Sequence, residues 1–297
     1  MQKKTIVVTG ASGFVGRALC QHLSQHGYRL RQLARRADAK YAWEPAKGQL
    51  DPRYLDGVDV VVHLAGEPIA QRWTPAVKQR ILQSRVASTE LLVQAMLAQA
   101  KAPALILASG INYYGYQVTE TVQESSALGG GFLADVCSAW EAAADPLRAA
   151  GARVCCVRTG VVLGPGGGAL AKMLPAFRLG LGGRLGSGTQ MMSWISLADL
   201  VRVYEVIISE NRFQGPLNAV APSAVSNRAF TEALGTTIRR PTMLPMPSWL
   251  LRALFGRMAE ETLLADLNVQ PSCLEALGFQ WTTPTVKVAL TSILESV

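Results

Sequence analysis

The sequence offers little for disulfides, membrane spans or nucleic acid. Its 297 residues hold five cysteines, none in Cys-x-x-Cys spacing. That argues against a disulfide framework and for reduced thiols in a cytoplasmic setting. No window approaches about 20 consecutive apolar residues, so no membrane-spanning helix is expected. The first residues lead directly into Ile6-Val7-Val8, without the longer apolar run and cleavage site of a signal peptide. Lysine and arginine number 29 against 21 acidic residues, a net charge of +8, and such a balance favours polyanions. Yet the basic residues occur at most in pairs, as at Lys3–Lys4, Arg35–Arg36 and Arg239–Arg240. No basic segment is interleaved with aromatics in the manner of single-strand binders, so no nucleic-acid partner is expected. A phosphate-bearing small molecule suits this charge better. Apolar residues make up 49% of the chain, which excludes disorder as its main state.

What is present is alternation. Short β-branched runs at Thr5–Thr9, Arg29–Ala34, Val58–Leu64, Ala104–Ser109, Arg153–Thr159 and Leu217–Val220 are separated by helical patterns. This is the signature of βαβ units in a parallel sheet of six or seven strands. Runs such as Val60-Val61-Val62 are apolar on consecutive residues, as strands covered on both faces are. Val15, Leu19 and Leu23 recur every four residues before Gly27 closes a first helix. Thr74-Pro75 reads as an N-cap and first helical residue, opening a helix to about Met96. Ser196 and Asp199 have capping-box spacing at the head of a helix reaching Ser209. Glycine-rich stretches within 165–190 read as loops at the mouth of a site. The expected organisation is therefore a doubly wound, Rossmann-like α/β domain over residues 1–225. A small, mostly helical C-terminal substrate lobe would follow over residues 226–297.

Val7-Val8-Thr9-Gly10-Ala11-Ser12-Gly13-Phe14-Val15-Gly16 carries the sharpest chemical signal. A buried strand enters three glycines spaced three apart and leaves as an amphipathic helix. Glycines there allow a tight turn, backbone approach to a pyrophosphate and close helix–strand packing, and the helix N-terminus supplies free N–H groups. At the end of the second strand an NAD site carries an acidic residue for the ribose 2′-hydroxyl. Ala34-Arg35-Arg36 stands there instead, and two guanidiniums suit a 2′-phosphate. The expected cofactor is NADP(H), with Asp38 as a weak competitor.

These residues resemble an extended short-chain dehydrogenase/reductase, with His63-Leu64-Ala65-Gly66 matching an element expected to line the adenosine end of the cofactor. More closely, the chain is similar to an atypical branch, the "epimerase family" proteins with a C-terminal domain of unknown function. The motifs are Leu64-Ala-Gly-Glu67-Pro-Ile, Arg72-Trp73-Thr, Ser84-Arg85, Tyr113-Tyr114-Gly115, Trp140-Glu141, Arg158-Thr-Gly-Val-Val-Leu-Gly164, Leu179-Gly-Leu-Gly-Gly183, Ser193-Trp194-Ile195, Pro245-Met-Pro247 and Leu277-Gly-Phe279. The resemblance implies a cofactor site formed by Gly10, Ala11, Ser12, Gly13, Phe14, Val15, Gly16, Arg35, Arg36, Leu64, Ala65, Gly66, Arg85, Ser109, Thr159, Gly160, Val161 and Val162. It implies an NADP(H)-dependent oxidoreductase or a protein like a nucleotide-sugar epimerase.

The superfamily's Tyr-x-x-x-Lys pair is absent: anchored on Glu141, its positions hold Leu133 and Cys137. The helix asparagine becomes Arg85, a fixed charge suited to an anionic group, and the active-site serine falls on Ser109 or Gly110. A tyrosine with a lowered pKa would exchange the substrate hydroxyl proton; without it Ser109 and Tyr113 are the candidate catalytic residues, with Tyr114 and Glu67 nearby. Tyr113 and Tyr114 read equally as packing aromatics, and Glu67 as a loop carboxylate paired with Arg72. The alternative to an enzyme is an NADP(H)-binding or sensing protein without turnover, as a monomer or homodimer. His22 and His26 are four apart on the first helix, but with no third ligand in view no metal is expected. His22 is expected to pack on the sheet. Cys155 and Cys156 should face opposite sides of a strand. Met191, Met192 and Trp194 read as pocket lining or as filling, and Leu250, Leu251, Leu254 and Phe255 as lobe core.

Overall fold

A computed structural model describes residues 4–36, 38–118 and 120–295. Six parallel strands form the central sheet: β1 (Thr5–Thr9), β2 (Arg29–Leu33), β3 (Val60–His63), β4 (Ala104–Gly110), β5 (Val154–Thr159) and β6 (Gly215–Ala219). Their order is β6-β5-β4-β3-β1-β2, so the chain winds outward from β1 to β2 and then restarts on the other side of β1. Ligands in such sheets bind at the carboxyl ends of the strands, where this reversal opens a crevice. The expected strand positions hold to within two residues at either end.

Ten α-helices accompany the sheet among the described residues. In chain order they are α1 (Phe14–Gln25), α2 (Pro75–Leu97), α3 (Phe132–Ala142), α4 (Asp145–Ala149), α5 (Gly168–Arg178), α6 (Leu197–Ser209), α7 (Asn227–Ile238), α8 (Ser248–Phe255), α9 (Ser272–Ala276) and α10 (Val286–Glu295). One sheet face, with Ile6, Val8, Val62, Ile106, Cys155 and Val157, packs on α1 and α6. The other, with Val7, Val61, Leu105, Leu107 and Cys156, packs on α2, Trp140 and Leu147. The two adjacent cysteines therefore do divide between the faces. Each fully buried aliphatic side chain here contributes about 1.5–3 kcal/mol.

The expected caps are present. Thr74 Oγ1 accepts the amide of Val77 at 3.2 Å, and Ser196 Oγ that of Asp199 at 3.1 Å. Asp199 serves a longer range than a capping box requires. Its buried carboxylate accepts the amides and hydroxyls of both Thr282 and Thr283, at 2.6–3.0 Å. This binds the C-terminal chain to the head of α6. The last residues are accordingly divided among the cores: Leu274 and Phe279 join the α1/α6 layer, and Leu290 and Ile293 pack with Phe230, Leu170 and Trp194. Trp194 is thus filling, with its Nε1 donating to the Ser223 carbonyl at 3.1 Å.

Two packing expectations need correction. His22 does not lie on the sheet; it is half-buried and meets Glu205 of α6 at 2.6 Å, because the first helix turns this side chain toward its neighbouring helix. On α8 only Leu251 is buried, while Leu254 is 51% exposed and Phe255 36%. That helix is short and lies on the surface, so a single apolar edge suffices to seat it.

At the carboxyl ends, the face over α2 and α3 changes from apolar to polar. Strand alternation puts Thr9, His63, Ser109, Arg158 and Asn218 on it, all buried. His63 joins the two strands at the reversal. Thr9 Oγ1 accepts the amides of Leu64 and Ala65, both at 3.2 Å, so its own hydrogen goes to His63 Nδ1 at 2.6 Å. The other ring nitrogen then carries the proton and donates to Ser88 Oγ at 2.9 Å. Burial, helped by the Arg85 charge, pushes the His63 pKa down to about 3. The unfolded chain therefore holds one more proton between about pH 3 and 6.5. This contribution to stability is complete above about pH 6.5 and is lost as the pH falls, by up to ~1.4 kcal/mol per pH unit. Urea unfolding between about pH 7 and pH 5, above the carboxylate range, should show that slope. His63→Asn should flatten it; an unchanged slope in the variant would contradict the assignment.

Candidate functional site

The glycine turn leaves β1 and bends under the chain that follows β3. Gly10 has φ +67°, and a Cβ on it would lie 2.8 Å from the Leu64 carbonyl carbon. A Cβ on Gly16 would lie 2.1 Å from the Gly10 carbonyl oxygen, so any side chain would push α1 off the turn. Gly13 is the N-cap of α1 and contributes no side-chain hydrogen bond, and the first turn carries no acid. The first amides of this helix therefore have no side-chain cap, and its positive dipole end favours an anion. Ala11 is buried, Ser12 is exposed with its carbonyl accepting from Arg17, and Val15 packs on the core. Phe14 reaches across to the glycine-rich segment after β5: its Cδ2 lies 2.3 Å from where a Cβ on Gly167 would stand.

At the end of β2, Arg35 is exposed. Arg36 is paired with Asp38 at 2.5 Å, which lowers the Asp38 pKa through that hydrogen bond. The one acidic competitor at this strand end is therefore already engaged. Ala37 lies outside the described residues.

Arg85 comes from α2 and is buried. Its Nη1 donates to the carbonyls of Glu67 and Ile81 at 3.1 and 3.0 Å, and its guanidinium sits 5.0 Å above the Trp140 ring. It lies directly beneath Gly66, whose Cβ would be 3.0 Å from the guanidinium carbon. These bonds hold the chain from Gly66 to Glu67 from below. Glu67 pairs with Arg80 at 3.6 Å and with Gln71 at 3.3 Å, not with Arg72, since Arg80 lies on the adjoining turn of α2.

Ser109 opens the second half of the site. Its Oγ donates to Glu141 Oε1 at 2.7 Å. Glu141 is gripped by Arg158 through two bonds, Nε to Oε1 at 2.9 Å and Nη2 to Oε2 at 2.8 Å. Burial opposes the Arg158 charge, but the Glu141 bonds and field outweigh it and raise its pKa above the ordinary value. Arg158 also donates to the Tyr114 hydroxyl at 3.0 Å, and that hydroxyl donates to Asn218 Oδ1 at 2.8 Å. Tyr114 is thereby committed to packing and local bonds. Tyr113 is half-buried, and the Arg158 guanidinium lies 3.4 Å from its ring centroid. At the end of β5, Thr159 bonds the Val157 carbonyl, and the amides of Gly160 and Val161 bond the carbonyls of Ala219 and Ser193. Val161 and Val162 lie in a short strand, Val161–Leu163, paired with Trp194–Ser196. The turn, Arg35, Leu64–Gly66, Ser109 and Thr159–Val162 therefore all gather at the carboxyl ends of the strands.

Leu133 and Cys137 lie on α3 beside this row, both buried. Burial pushes the Cys137 thiol up to about 11, so it is neutral in ordinary buffers and supplies no charge. A residue that sequence reasoning missed stands at the head of the same helix. Glu261 Oε2 accepts the amide of Leu133 at 2.9 Å, while Arg257 donates to its other oxygen at 3.3 Å. Asn112 Nδ2 donates to its carbonyl at 2.9 Å. The signal available in the sequence was Gly129-Gly130-Gly131, a helix start without a capping residue, which leaves amides for a partner elsewhere in the chain.

Known proteins resemble this chain over nearly its whole length. The model of the NAD dependent epimerase/dehydratase family matches residues 6–219. The chain belongs to that family. A second model, the domain of unknown function DUF1731, matches residues 246–293, the segment that carries Glu261. The chain is 44% identical to an epimerase family protein of Mycobacterium tuberculosis over 98% of its length and 97% of the relative's. A crystal structure of human epimerase family protein SDR39U1 with NADPH superposes with TM-score 0.89 at 35% identity, covering 99% of this chain and all of that one. The nucleoside-diphosphate sugar epimerase from Corynebacterium glutamicum gives 0.82 at 35% identity, covering 99% of this chain and 58% of that one. Among the described residues no helix is long and apolar enough to cross a membrane.

The Arg158–Glu141 pair is the most exacting element of the site. Glu141→Gln strands a buried guanidinium and should cost about 3–5 kcal/mol of unfolding free energy in urea. Replacing both partners with apolar residues, Glu141→Leu with Arg158→Met, should recover most of it. A double variant no more stable than the single one would show that the pair does more than satisfy itself.

Proposed function

We propose that this family member binds NADP(H) and acts as an oxidoreductase or epimerase on a small substrate, with an active site that does without Tyr-x-x-x-Lys. The observation that carries the choice of cofactor is the end of β2: Ala34 offers no acceptor, Arg35 is exposed and Asp38 is held by Arg36. The cradle at Gly10 and Gly16, which a Cβ would fill, and the uncapped start of α1 fit the pyrophosphate. NADPH in the human relative's crystal structure supports the same reading, and nucleoside-diphosphate sugars are the substrate class suggested by the Corynebacterium relative.

The cofactor, when bound, supplies hydride transfer. The chain's own residues would divide the remaining work. Arg35 would hold the 2′-phosphate, with Arg36 alongside. Leu64, Ala65 and Gly66 would line the adenosine side, kept in place by Thr9 below and by Arg85 beneath Gly66. Thr159–Val162 would line the other end. Ser109 would present its hydroxyl to the substrate, oriented by Glu141, and Tyr113 would offer the second exchangeable proton over the Arg158 guanidinium. A second reading, binding without turnover, is favoured by Leu133 and the neutral Cys137 thiol, which leave the superfamily's proton relay unfilled.

Fluorescence titration should show NADPH binding more tightly than NADH. Arg35→Ala should remove about 10- to 100-fold of that preference, the equivalent of one charge-assisted hydrogen bond at ~1.5–3 kcal/mol. Equal affinities in the unaltered protein would refute the cofactor assignment. With nucleoside-diphosphate sugars supplied, turnover of sugar or cofactor that disappears in Ser109→Ala and Tyr113→Phe identifies the catalytic pair. Tight binding with no turnover on any of them favours the second reading.

A further inference from the structure

Away from the cofactor cleft, α1 and α6 bring three metal-ligating side chains together. His22 lies in the last turn of α1 and His26 is its C-cap, four residues on, so the two stack along one side of the helix end. Their ring centroids are 4.3 Å apart. Glu205 reaches this pair from α6, 183 residues on, with its Oε2 at 2.6 Å from His22 Nε2. One donor atom from each residue lies within 4.8 Å of the other two. The missing third ligand in the sequence was a carboxylate that only the packing of α6 against α1 supplies.

We propose that His22, His26 and Glu205 form a zinc site that fastens α1 to α6. Two imidazoles and a carboxylate are a ligand set suited to Zn2+, with bond lengths near ~2.0–2.2 Å and water completing a tetrahedron. The set is poorly suited to Mg2+, which prefers an octahedron of oxygens. Donors in such a tetrahedron stand about 3.3 Å apart, so small rotations of side chains at a partly exposed surface are enough to reach it.

The hydrogen bonds favour the same geometry. His26 Nδ1 lies 2.8 Å from the His22 carbonyl, and a carbonyl can only accept. That nitrogen therefore carries the hydrogen, and the lone pair of the neutral ring falls on Nε2. A metal-bound histidine is commonly oriented in this way, by donating its other N–H to a carbonyl. His22 Nε2 and Glu205 Oε2 lie 2.6 Å apart, so Zn2+ inserted between them would take the place of the hydrogen bond.

The site's place in the fold indicates its role. His22 is nine residues along α1 from Gly13, about 13 Å from the phosphate-facing start at 1.5 Å per residue. Zinc there would not touch the cofactor. It would link the helix after the glycine turn to the helix whose head is held by Thr282 and Thr283, and so clamp one layer of the fold.

The test uses the full-length chain, free of a histidine tag and stripped with chelator, titrated with zinc chloride in a calorimeter and followed by thermal unfolding. One Zn2+ per chain and a rise in Tm of several degrees are expected, with no rise from Mg2+. His26 is exposed, so His26→Gln should fold normally and bind Zn2+ more than about 100-fold more weakly, since losing a ligand costs more than losing an outer-shell partner. Glu205→Gln should weaken it comparably, and Cys273→Ser should leave it unchanged. Wild-type affinity in His26→Gln, loss of binding in Cys273→Ser, or an equal response to Mg2+ would each overturn the proposal.

Discussion

The bidentate contact between Arg158 and Glu141 ties the carboxyl side of the sheet together. It links β5 to α3, and through Ser109 it fixes the end of β4. Through Tyr114 and Asn218 it reaches β6. A buried pair of this kind contributes little net stability against an apolar isostere, because desolvation offsets most of the attraction. Its consequence here is geometric. Two charges can share a dry interior only in one arrangement, so Ser109 and Tyr113 are set by the requirement that neither charge be left alone. The apolar layers on both faces of the sheet provide the stability that lets the polar row exist.

The same row explains what was legible in the sequence. Strand positions, the glycine turn and the caps at Thr74 and Ser196 are local, and periodicity or spacing within a few residues determines them. Even the opposite facing of Cys155 and Cys156 follows from alternation alone. The partners of the polar side chains follow from register, which no local pattern encodes. Ser109 and Arg158 reach the same Glu141 oxygen because β4 and β5 align those two residues. Asp199 looked like half of a capping box, yet its carboxylate is taken by threonines more than eighty residues on. Glu205 beside His22 belongs to the same class, as does Arg80 in place of Arg72 beside Glu67.

The departure at Leu133 and Cys137 gains meaning from its surroundings. A thiolate at Cys137 would act on neighbouring protons in the opposite sense to a lysine ammonium, because its charge has the opposite sign. Burial keeps it a neutral thiol, packed close to Ser109 and Gly110. The nearby cation is Arg85, and it bonds carbonyls of its own chain below Gly66. The charges at this end of the cleft are thus Arg85, bonded to carbonyls, and Arg158, paired with Glu141. The Ser109 hydroxyl is oriented by its hydrogen bond to Glu141, and the residue facing it from α3 is a neutral thiol.

Glu261 ties the C-terminal segment to the helix beside the polar row. A helix that starts with three glycines has no side chain to receive its first amides, and an uncapped buried start is costly. The carboxylate that receives the Leu133 amide sits in a π-helical turn, Ala259–Leu263, a geometry that often accompanies functional positions. The turn places the carboxylate on the α3 dipole and the following carbonyl on Asn112, so one residue grips both α3 and the chain after β4. Displacing this segment would free the head of α3 and the Asn112 side chain together. The helix that carries Glu141, and with it the Arg158 contact, is therefore seated by residues from the far end of the chain, and the sheet alone does not complete the cleft.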